Sequence, residues 1–332
     1  MSDPARPESR VLVLLVNLGT PEAPTPAAVR TYLAEFLSDR RVIEIPRAIW
    51  LPILYGLVLP RRPRKSAEAY QKVWTEEGSP LMAISLRQAA ALRERFGDYP
   101  IVGLAMRYGR KSIASALSRA GDHADVDRLL FAPLYPQYSA ATTASAQDAL
   151  FEFLAGERAQ PAVRTLPPYY DDPLYIGALK ANLERQLAAL DFEPQRLLLS
   201  FHGMPERTRL LGDPYHDQCQ ETARLLGQQL AIPTDIAFQS RFGPAKWLEP
   251  ATEQVLAVYP RQGVKRIAIA APGFSADCLE TVEELGLRGR ETFLAAGGEQ
   301  FARLDCLNDS PEGMHMLEAL VRRELAGWIE PT

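Results

Sequence analysis

The feature that most constrains the fold of this 332-residue chain is an internal repeat, in which short motifs of the first half recur in the second half. The three matched pairs are 11–22 with 196–206, 107–109 with 241–243, and 132–133 with 271–272. Their offsets are 184, 134 and 139 residues, and the first pair shares the sequence Gly-x-Pro-Glu. Each match is short, but three matches in one order predict a structural unit that occurs twice.

The matched motifs lie in or directly after short apolar runs, which alternate with amphipathic stretches as in α/β proteins with parallel strands. The predicted strands are 11–18, 101–106, 128–134, 196–202, 234–240 and 266–272. We therefore predict an α/β fold of two similar Rossmann-like lobes, each a parallel sheet flanked by helices. Because ligands of open parallel sheets bind beyond the carboxyl ends of the strands, the active site is expected in the cleft between the lobes.

The offsets also predict the domain boundaries. The fall from 184 to 134 residues places about fifty extra residues between the first two strands of the first half. We expect lobe one over residues 1–175, with this lip insertion at about 40–85, and lobe two over 176–309. Residues 310–332 are predicted to form a C-terminal helix that packs back on lobe one.

Composition excludes several classes of protein. With 37 Lys and Arg against 41 Asp and Glu, the net charge of −4 argues against nucleic acid as the main partner. Cys219, Cys278 and Cys306 are widely spaced and form no Cys-x-x-Cys motif, so neither a disulfide framework nor a structural zinc site is expected. The N-terminus resembles no secretory or transit signal, and we expect a cytoplasmic protein. Motifs of nucleotide-binding loops and of serine hydrolases are missing as well.

The lip insertion contains the most apolar stretch of the chain, residues 48–59, followed by the basic run 61–65. As a helix this stretch would cover roughly 18 Å, short of the ~30 Å hydrocarbon core of a bilayer, so it predicts no membrane span. Two interpretations remain open: a buried helix, or an exposed lip that contacts a membrane surface.

Candidate chemistry follows two strands of lobe two. His202 ends a predicted strand beside a glycine turn, where a neutral imidazole could accept a proton or bind metal; the alternative is a structural histidine. Glu280 and Glu284 follow the strand run 266–272, four residues apart on a predicted helix. They could form a ladder for a hydrated divalent metal or for protons, or be acids stabilised by the helix dipole, which we prefer for Glu283.

One imidazole with one or two carboxylates suits a transition metal that is passed on, whereas permanent zinc sites have more ligands. Further side chains could line the cleft. Tyr138 lies in a hydroxyl-rich segment after a lobe-one strand, and Trp247 follows a lobe-two strand. Either could form an aromatic wall for a flat ligand, although the first segment could equally be a turn that caps a helix.

Taken together, these motifs resemble the ferrochelatase family, whose members insert ferrous iron into a porphyrin. The resemblance extends from VNLGTPE through GSP, RY, YPQYS, SFHGMPER, GDPY and QSRFGP to DCLETVEEL, nearly the whole chain. It implies that His202 and Glu280 are the catalytic, metal-binding and proton-handling pair and that Glu284 continues an acidic metal path. It also implies a porphyrin pocket, whose residues would be Leu18, Arg107, Tyr108, Tyr138 and Trp247, with Ser79 near the propionates.

The family resemblance also sets expectations for substrate and cofactor. Leu18 stands where some bacterial members carry a tyrosine, which together with the lip favours protoporphyrin IX; coproporphyrin III remains an alternative, and a cobalt chelatase of corrin synthesis a weaker one. The chain lacks the cysteine-rich tail of animal members, so we expect no iron–sulfur cluster and no permanent cofactor, with Fe²⁺ as substrate. Residues 47–65 would correspond to the family's membrane-facing lip, and no obligate protein partner is expected.

Overall fold

The computed structural model describes residues 10–118, 126–241, 243 and 245–329, and within them the chain forms two four-stranded parallel sheets. The first sheet contains β1 (Val11–Gly19), β2 (Ile101–Tyr108), β3 (Arg128–Pro133) and β4 (Ala162–Thr165). The second contains β5 (Arg196–His202), β6 (Thr234–Gln239), β7 (Arg266–Ala270) and β8 (Gln300–Arg303). The strand orders, β2-β1-β3-β4 and β6-β5-β7-β8, are the same topology, which confirms the predicted α/β fold of two similar lobes.

Helices connect the strands of both sheets. In the first half they are α1 (Pro26–Ser38), α2 (Arg47–Ile53), α3 (Leu59–Val73), α4 (Pro80–Phe96), α5 (Ile113–Leu117), α6 (Ser145–Gly156) and α7 (Pro173–Ala188). In the second half they are α8 (Glu206–Leu210), α9 (Tyr215–Gly227), α10 (Thr252–Val258), α11 (Gly289–Ala295) and α12 (Pro311–Glu324). Three π-helical segments, Leu54–Val58, Ala140–Ala144 and Glu280–Arg288, and a 3₁₀ turn, Tyr259–Gln262, complete the described elements.

The central strand of each sheet is buried on both faces, as expected for a parallel sheet covered by helices. Val13 and Leu15 of β1 face one side and Leu12 and Leu14 the other, and all four are 0% exposed. Val13 and Leu15 belong to the same apolar core as Leu199 of β5, and residues of α4, α7, α9 and α12 also belong to it. One core therefore connects the two lobes.

The C-terminal helix α12 contributes to that shared core and contacts both α7 and α4. Ser310 caps its first turn by accepting a hydrogen bond from the backbone N–H of Gly313 at 3.1 Å. Arg95 of α4 forms a 3.0 Å ion pair with Glu318. The helix thus lies against an element of lobe one, while the domain boundaries at 175 and 309 stay a prediction.

The repeated glycine after the first strand of each lobe has one physical cause, close approach to the neighbouring strand. A Cβ on Gly19 would lie 2.2 Å from the carbonyl oxygen of Tyr108, at the end of β2. A Cβ on Gly203 would lie 2.4 Å from the carbonyl oxygen of Gln239, at the end of β6. Gly19 also has a φ of +113°, a conformation that L side chains rarely adopt. The glycine is therefore repeated in the sequence because the same close backbone contact occurs in both lobes.

The lip insertion is buried on one face and exposed on the other, and contact of the exposed face with a membrane stays a prediction. Trp50 and Leu54 are buried in a cluster with α1, and the Trp50 indole donates a 2.6 Å hydrogen bond to the Leu37 carbonyl. By contrast, Ile49 and Leu57 are more than half exposed, at 57% and 54%. None of the helices in the described ranges combines the length and apolar character of a membrane span.

Candidate active site at the strand ends of the two lobes

His202 ends β5 and lies half-buried at the carboxyl edge of the second sheet. Its Nδ1 lies 2.7 Å from the carbonyl oxygen of Gly203. Because a carbonyl only accepts, Nδ1 carries the proton in the neutral ring, which leaves the lone pair of Nε2 available for a proton or a metal. The backbone of His202 is hydrogen-bonded to the Tyr215 hydroxyl, so α9 helps to fix its position.

Glu280 and Glu284 lie on the segment Glu280–Arg288, which is a π-helix and not the predicted α-helix. The backbone N–H of Gly289 bonds to the carbonyl of Glu284, five residues earlier. In this wider turn, positions four apart are slightly less than one turn apart instead of slightly more. Single π turns occur frequently at functional sites, and the other two π segments lie in the lip and after the Tyr138 motif.

A buried carboxylate fixes the start of this π-helix. Asp277 is 4% exposed and accepts 2.7 Å hydrogen bonds from Arg303 of β8, from the Thr281 hydroxyl and from the Asn308 side chain. Since Glu280 follows three residues later, the network ties the position of its backbone to the edge strand of the second sheet.

The lip helix α3 lies beside Glu280. The Glu280 carboxylate interacts electrostatically with Arg62 and Tyr70 of that helix. Burial, reinforced by Glu280, raises the pKa of Tyr70 well above its ordinary value. The phenol therefore stays protonated, as a hydrogen-bond donor close to Glu280.

The two remaining acids of the π-helix have different partners. Glu284 accepts hydrogen bonds from Ser240, at 2.8 Å from the backbone N–H and 2.6 Å from the hydroxyl. Glu283 is 3% exposed and forms ion pairs with Lys72 and Arg288. It is thus a buried, paired carboxylate, whereas the sequence favoured an acid stabilised by the helix dipole.

In lobe one, the predicted pocket residues Arg107 and Tyr108 meet around Asp39. Arg107 forms a 2.7 Å ion pair with Asp39 and donates a 2.7 Å hydrogen bond to Ser145. The Tyr108 hydroxyl donates to Asp39 at 2.8 Å, and Tyr108 is only 1% exposed. Burial alone would raise the pKa of Asp39, but hydrogen bonds from Ser145, the Arg41 backbone and Tyr108, with the Arg107 charge, lower it.

An open pocket of about 380 Å³ lies over this network, and Arg107, Tyr108 and the lip residue Tyr55 line it. Sequence reasoning did not identify Asp39 or Ser145, since 68 and 38 residues separate them from Arg107 and neither belongs to a recognisable motif. The two predicted residues are therefore brought together, with Arg107 partly accessible and Tyr108 buried.

The other predicted pocket residues take varied positions. Leu18 is partly buried and packs against two apolar clusters, one formed by α1 and the lip and the other by Leu81, Ile84, Ala276 and Cys278. The Trp247 ring lies against the position where Gly203 would carry a Cβ, beside the turn that follows His202. Its indole N–H is buried and has no hydrogen-bond partner among the described residues.

Ser79 and Tyr138 are held by contacts within the protein. Ser79 is 2% exposed and caps α4, accepting a 3.3 Å hydrogen bond from the backbone N–H of Met82. The backbone N–H of Tyr138 donates a 2.6 Å hydrogen bond to Gln218 of α9. Their contact with a porphyrin stays a prediction. Within the described residues, no three His, Cys, Asp or Glu side chains form a group that could hold a metal ion.

In fold, the chain is similar to solved structures of the chelatase class. The chain is similar to SirB from Bacillus subtilis with Fe³⁺, at a TM-score of 0.56 and 11% identity over 96% of this chain and 97% of that one. It is also similar to the sirohydrochlorin chelatase SirB of B. subtilis subspecies spizizenii in complex with cobalt, with a TM-score of 0.54, 11% identity and 96% of each chain covered. At such identities the likeness shows the fold alone.

The sequence defines the family within that class. The ferrochelatase family model matches residues 10–325. The ferrochelatase of Rhizobium meliloti (strain 1021) is 52% identical, with 98% of both chains covered, and that of Brucella canis is 50% identical, with 96% of this chain and 93% of that one covered. The chain therefore belongs to the ferrochelatase family and is a lyase of haem biosynthesis that inserts metal into a porphyrin.

Proposed function

We propose that this enzyme inserts Fe²⁺ into protoporphyrin IX to form protohaem, the last step of haem synthesis, with His202 and Glu280 as the reacting groups. The observation that carries the proposal is the fixed tautomer of His202. Its Nδ1–H is engaged by the Gly203 carbonyl at 2.7 Å, so Nε2 has a free lone pair at the carboxyl edge of the second sheet.

Metal insertion replaces two pyrrole N–H protons of the porphyrin with one Fe²⁺, so two protons must leave the ring. In our mechanism, Nε2 of neutral His202 accepts a pyrrole proton or binds the incoming iron. Glu280 shares the transfer of metal or proton. Glu284, held by Ser240, continues the path for hydrated iron. Carboxylates suit a hydrated divalent cation that is passed on, because few protein ligands then need to be displaced.

The ring nitrogens of a free porphyrin lie in the plane of the macrocycle, where their lone pairs are poorly accessible to a metal. We propose that the cleft binds the ring in a bent form, which stabilises the transition state more than the planar substrate. Leu18, Tyr138 and Trp247 would contact its faces, and Arg107, Tyr108 and Ser79 its edges and propionates. The accessible guanidinium of Arg107 supports a role in binding a carboxylate.

We further propose that the enzyme works without an iron–sulfur cluster or other permanent cofactor, with iron only as substrate. All three cysteines are free and buried, and burial raises the pKa of each thiol, which disfavours the thiolate that a metal cluster requires. Reduced cysteines also accord with a cytoplasmic location.

Peripheral contact with a membrane through residues 47–65 is part of the proposal. Ile49, Tyr55 and Leu57 are each more than half exposed, and the basic residues Arg61 and Arg64 follow them on the exposed side of α3. Apolar side chains next to basic ones fit the interface of an anionic bilayer, from which an apolar porphyrin could be taken.

The test is an anaerobic assay of the purified protein with Fe²⁺ and, separately, protoporphyrin IX, coproporphyrin III and sirohydrochlorin. We expect loss of free-base fluorescence with the highest kcat/KM for protoporphyrin IX. A preference for coproporphyrin III would replace the proposed substrate. Turnover of sirohydrochlorin alone, particularly with Co²⁺, would overturn the proposal.

A further inference from the structure

Glu283 is a buried carboxylate that the proposed chemistry does not use. It lies on the π-helix Glu280–Arg288, which follows β7 of the second sheet, and its side chain is 4% exposed. A buried carboxylate without partners is strongly unfavourable, so its contacts identify what the position requires.

The two partners of Glu283 come from different parts of the molecule. Arg288, on the same π-helix, donates from Nε to Oε2 at 2.8 Å. Lys72 belongs to the lip helix α3, which follows β1 and precedes β2 along the chain. Its Nζ donates a hydrogen bond to Oε1 of Glu283 at 3.3 Å. The Lys72–Glu283 pair therefore joins the lip of lobe one to the π-helix of lobe two, 211 residues further along the chain.

This pair lies close to the groups proposed for catalysis. Tyr70, two residues before Lys72, interacts electrostatically with Glu280, as does Arg62 on the same helix. Arg288 also approaches Glu284 at 3.6 Å. The position of α3 relative to the π-helix thus decides how closely the lip wall approaches Glu280 and Glu284.

We propose that Lys72, Glu283 and Arg288 form a positioning bridge that fixes the lip helix against the π-helix and so sets the width of the porphyrin cleft at this rim. The bridge acts on porphyrin binding through the elements it holds and takes no part in proton or metal transfer. This inference rests on the proposed function, because it requires a porphyrin between these two walls.

The test is the substitution Lys72→Met, which removes the charge from a side chain that is 54% exposed and leaves the Glu283–Arg288 pair in place. We expect the KM for the porphyrin, and its Kd measured by fluorescence without iron, to rise together by about three- to tenfold. The value of kcat should stay within about twofold, because the reacting groups remain. Lys72→Arg, which keeps the charge, should restore both constants.

A matched control is Lys180→Met, which breaks the 2.9 Å ion pair between Lys180 and Glu184. Both residues of this pair lie on α7, so the pair does not connect the two lobes. We expect this variant to behave as the wild type. The double variant of Lys72→Met with Glu283→Gln should raise the porphyrin Kd no further than Glu283→Gln alone, because Glu283→Gln already removes the ion pair with Lys72.

Two results would overturn the bridge. The first is a porphyrin KM and Kd in Lys72→Met equal to those of Lys180→Met. The second is a fall in the kcat of Lys72→Met with an unchanged KM. Failure of the proposed function is recognisable separately, because the wild-type protein would then consume no porphyrin. The Kd comparison needs no turnover and would still decide whether the bridge positions the cleft.

Discussion

The two lobes share one strand order but differ at the position where the first strand of each sheet ends. The offset of 184 residues that aligns Gly19 with Gly203 also aligns Leu18 with His202. Leu18 packs among apolar residues between the lobes, whereas His202 presents a free Nε2 at the second sheet. The same backbone position therefore carries an apolar side chain in one lobe and an imidazole in the other, and we propose the imidazole as a reactive group.

The charged groups beyond the strands differ in the same way. In lobe one, Asp39 is saturated by Arg107, Tyr108 and Ser145. In lobe two, Glu284 is bonded to neutral groups of Ser240, and its Arg288 contact is long, at 3.6 Å. The charge of Asp39 is balanced by Arg107, so this carboxylate stabilises the structure. The donors to Glu284 are neutral, so its negative charge can still attract a cation. In the proposed function, the duplicated fold therefore places porphyrin binding mainly in lobe one and the reacting groups in lobe two.

The largest effect is expected from His202→Ala, which removes the group that distinguishes lobe two. We expect turnover to fall by about 10²- to 10⁴-fold, because proton transfer loses its positioned acceptor. Porphyrin affinity should change little, since the walls of the cleft remain. Anaerobic insertion assays give the rate, and fluorescence titration without iron gives the Kd.

The control for this substitution is His315→Ala, on an exposed position of α12, which should leave the rate unchanged. Wild-type turnover in His202→Ala would contradict the assignment of chemistry to lobe two. A loss of porphyrin binding as large as the loss of rate would show that His202 acts as a wall, as Leu18 does.

A smaller effect, on stability, is expected from alanine at the repeated glycines. Gly203→Ala should cost about 1–3 kcal/mol, since the new Cβ meets the Gln239 carbonyl and the backbone must shift. Gly19→Ala should cost about 1–3 kcal/mol more, because φ is +113° there. Urea unfolding at 25 °C gives both free energies.

Gly177→Ala on α7 is the matched control, because a Cβ there meets no atom within 4 Å and alanine favours the helix. It should be neutral or slightly stabilising. Equal losses at Gly19 and Gly203 would indicate that the close backbone contact, common to both lobes, outweighs the difference in φ.

The smallest effect concerns acid stability, through Asp39 of lobe one. Its pKa is lowered in the folded protein, so the carboxylate contributes stability above the unfolded value of about 3.9 and loses it as pH falls through the folded pKa. Asp39→Asn should therefore lower the Tm by about 2–4 °C near pH 7, and this difference from the wild type should shrink below about pH 4.

Asp148→Asn provides the comparison for Asp39. Asp148 pairs with Arg41 at 2.7 Å, but its side chain is 53% exposed, and such surface pairs contribute little. Its Tm should stay close to that of the wild type across the same pH range. A shift as large as that of Asp39→Asn would mean that burial does not distinguish the two carboxylates.

The sequence predicted six of the eight strands because their apolar runs are long and buried. It missed β4 and β8, which have only four residues each, AVRT and QFAR, with half-buried side chains and no apolar run. Such short edge strands are recognised only once the sheet beside them is known.

For the candidate site, His202 and Glu280 were selected from the sequence because each follows a predicted parallel strand. Ligands of open parallel sheets bind beyond the carboxyl ends of the strands, and the repeat indicated where those ends lie. This rule could not find Asp39, nor the burial of Glu283, since both depend on partners far along the chain. The π-helical form of Glu280–Arg288 was also missed, because an acid spacing of four residues suits an α-helix equally well.

The core shared by the two sheets has a consequence for the size of the functional unit. Val13 and Leu15 of one sheet and Leu199 of the other are all 0% exposed and belong to one apolar core, to which helices of both halves also contribute. A chain of one lobe would lack part of this core, would expose apolar side chains to water, and would pair with a second copy or aggregate. The protein thus resembles a dimer whose two subunits are joined in one polypeptide. In a dimer of identical lobes both copies would carry the same residue at this position, whereas the single chain carries Leu18 in one lobe and His202 in the other.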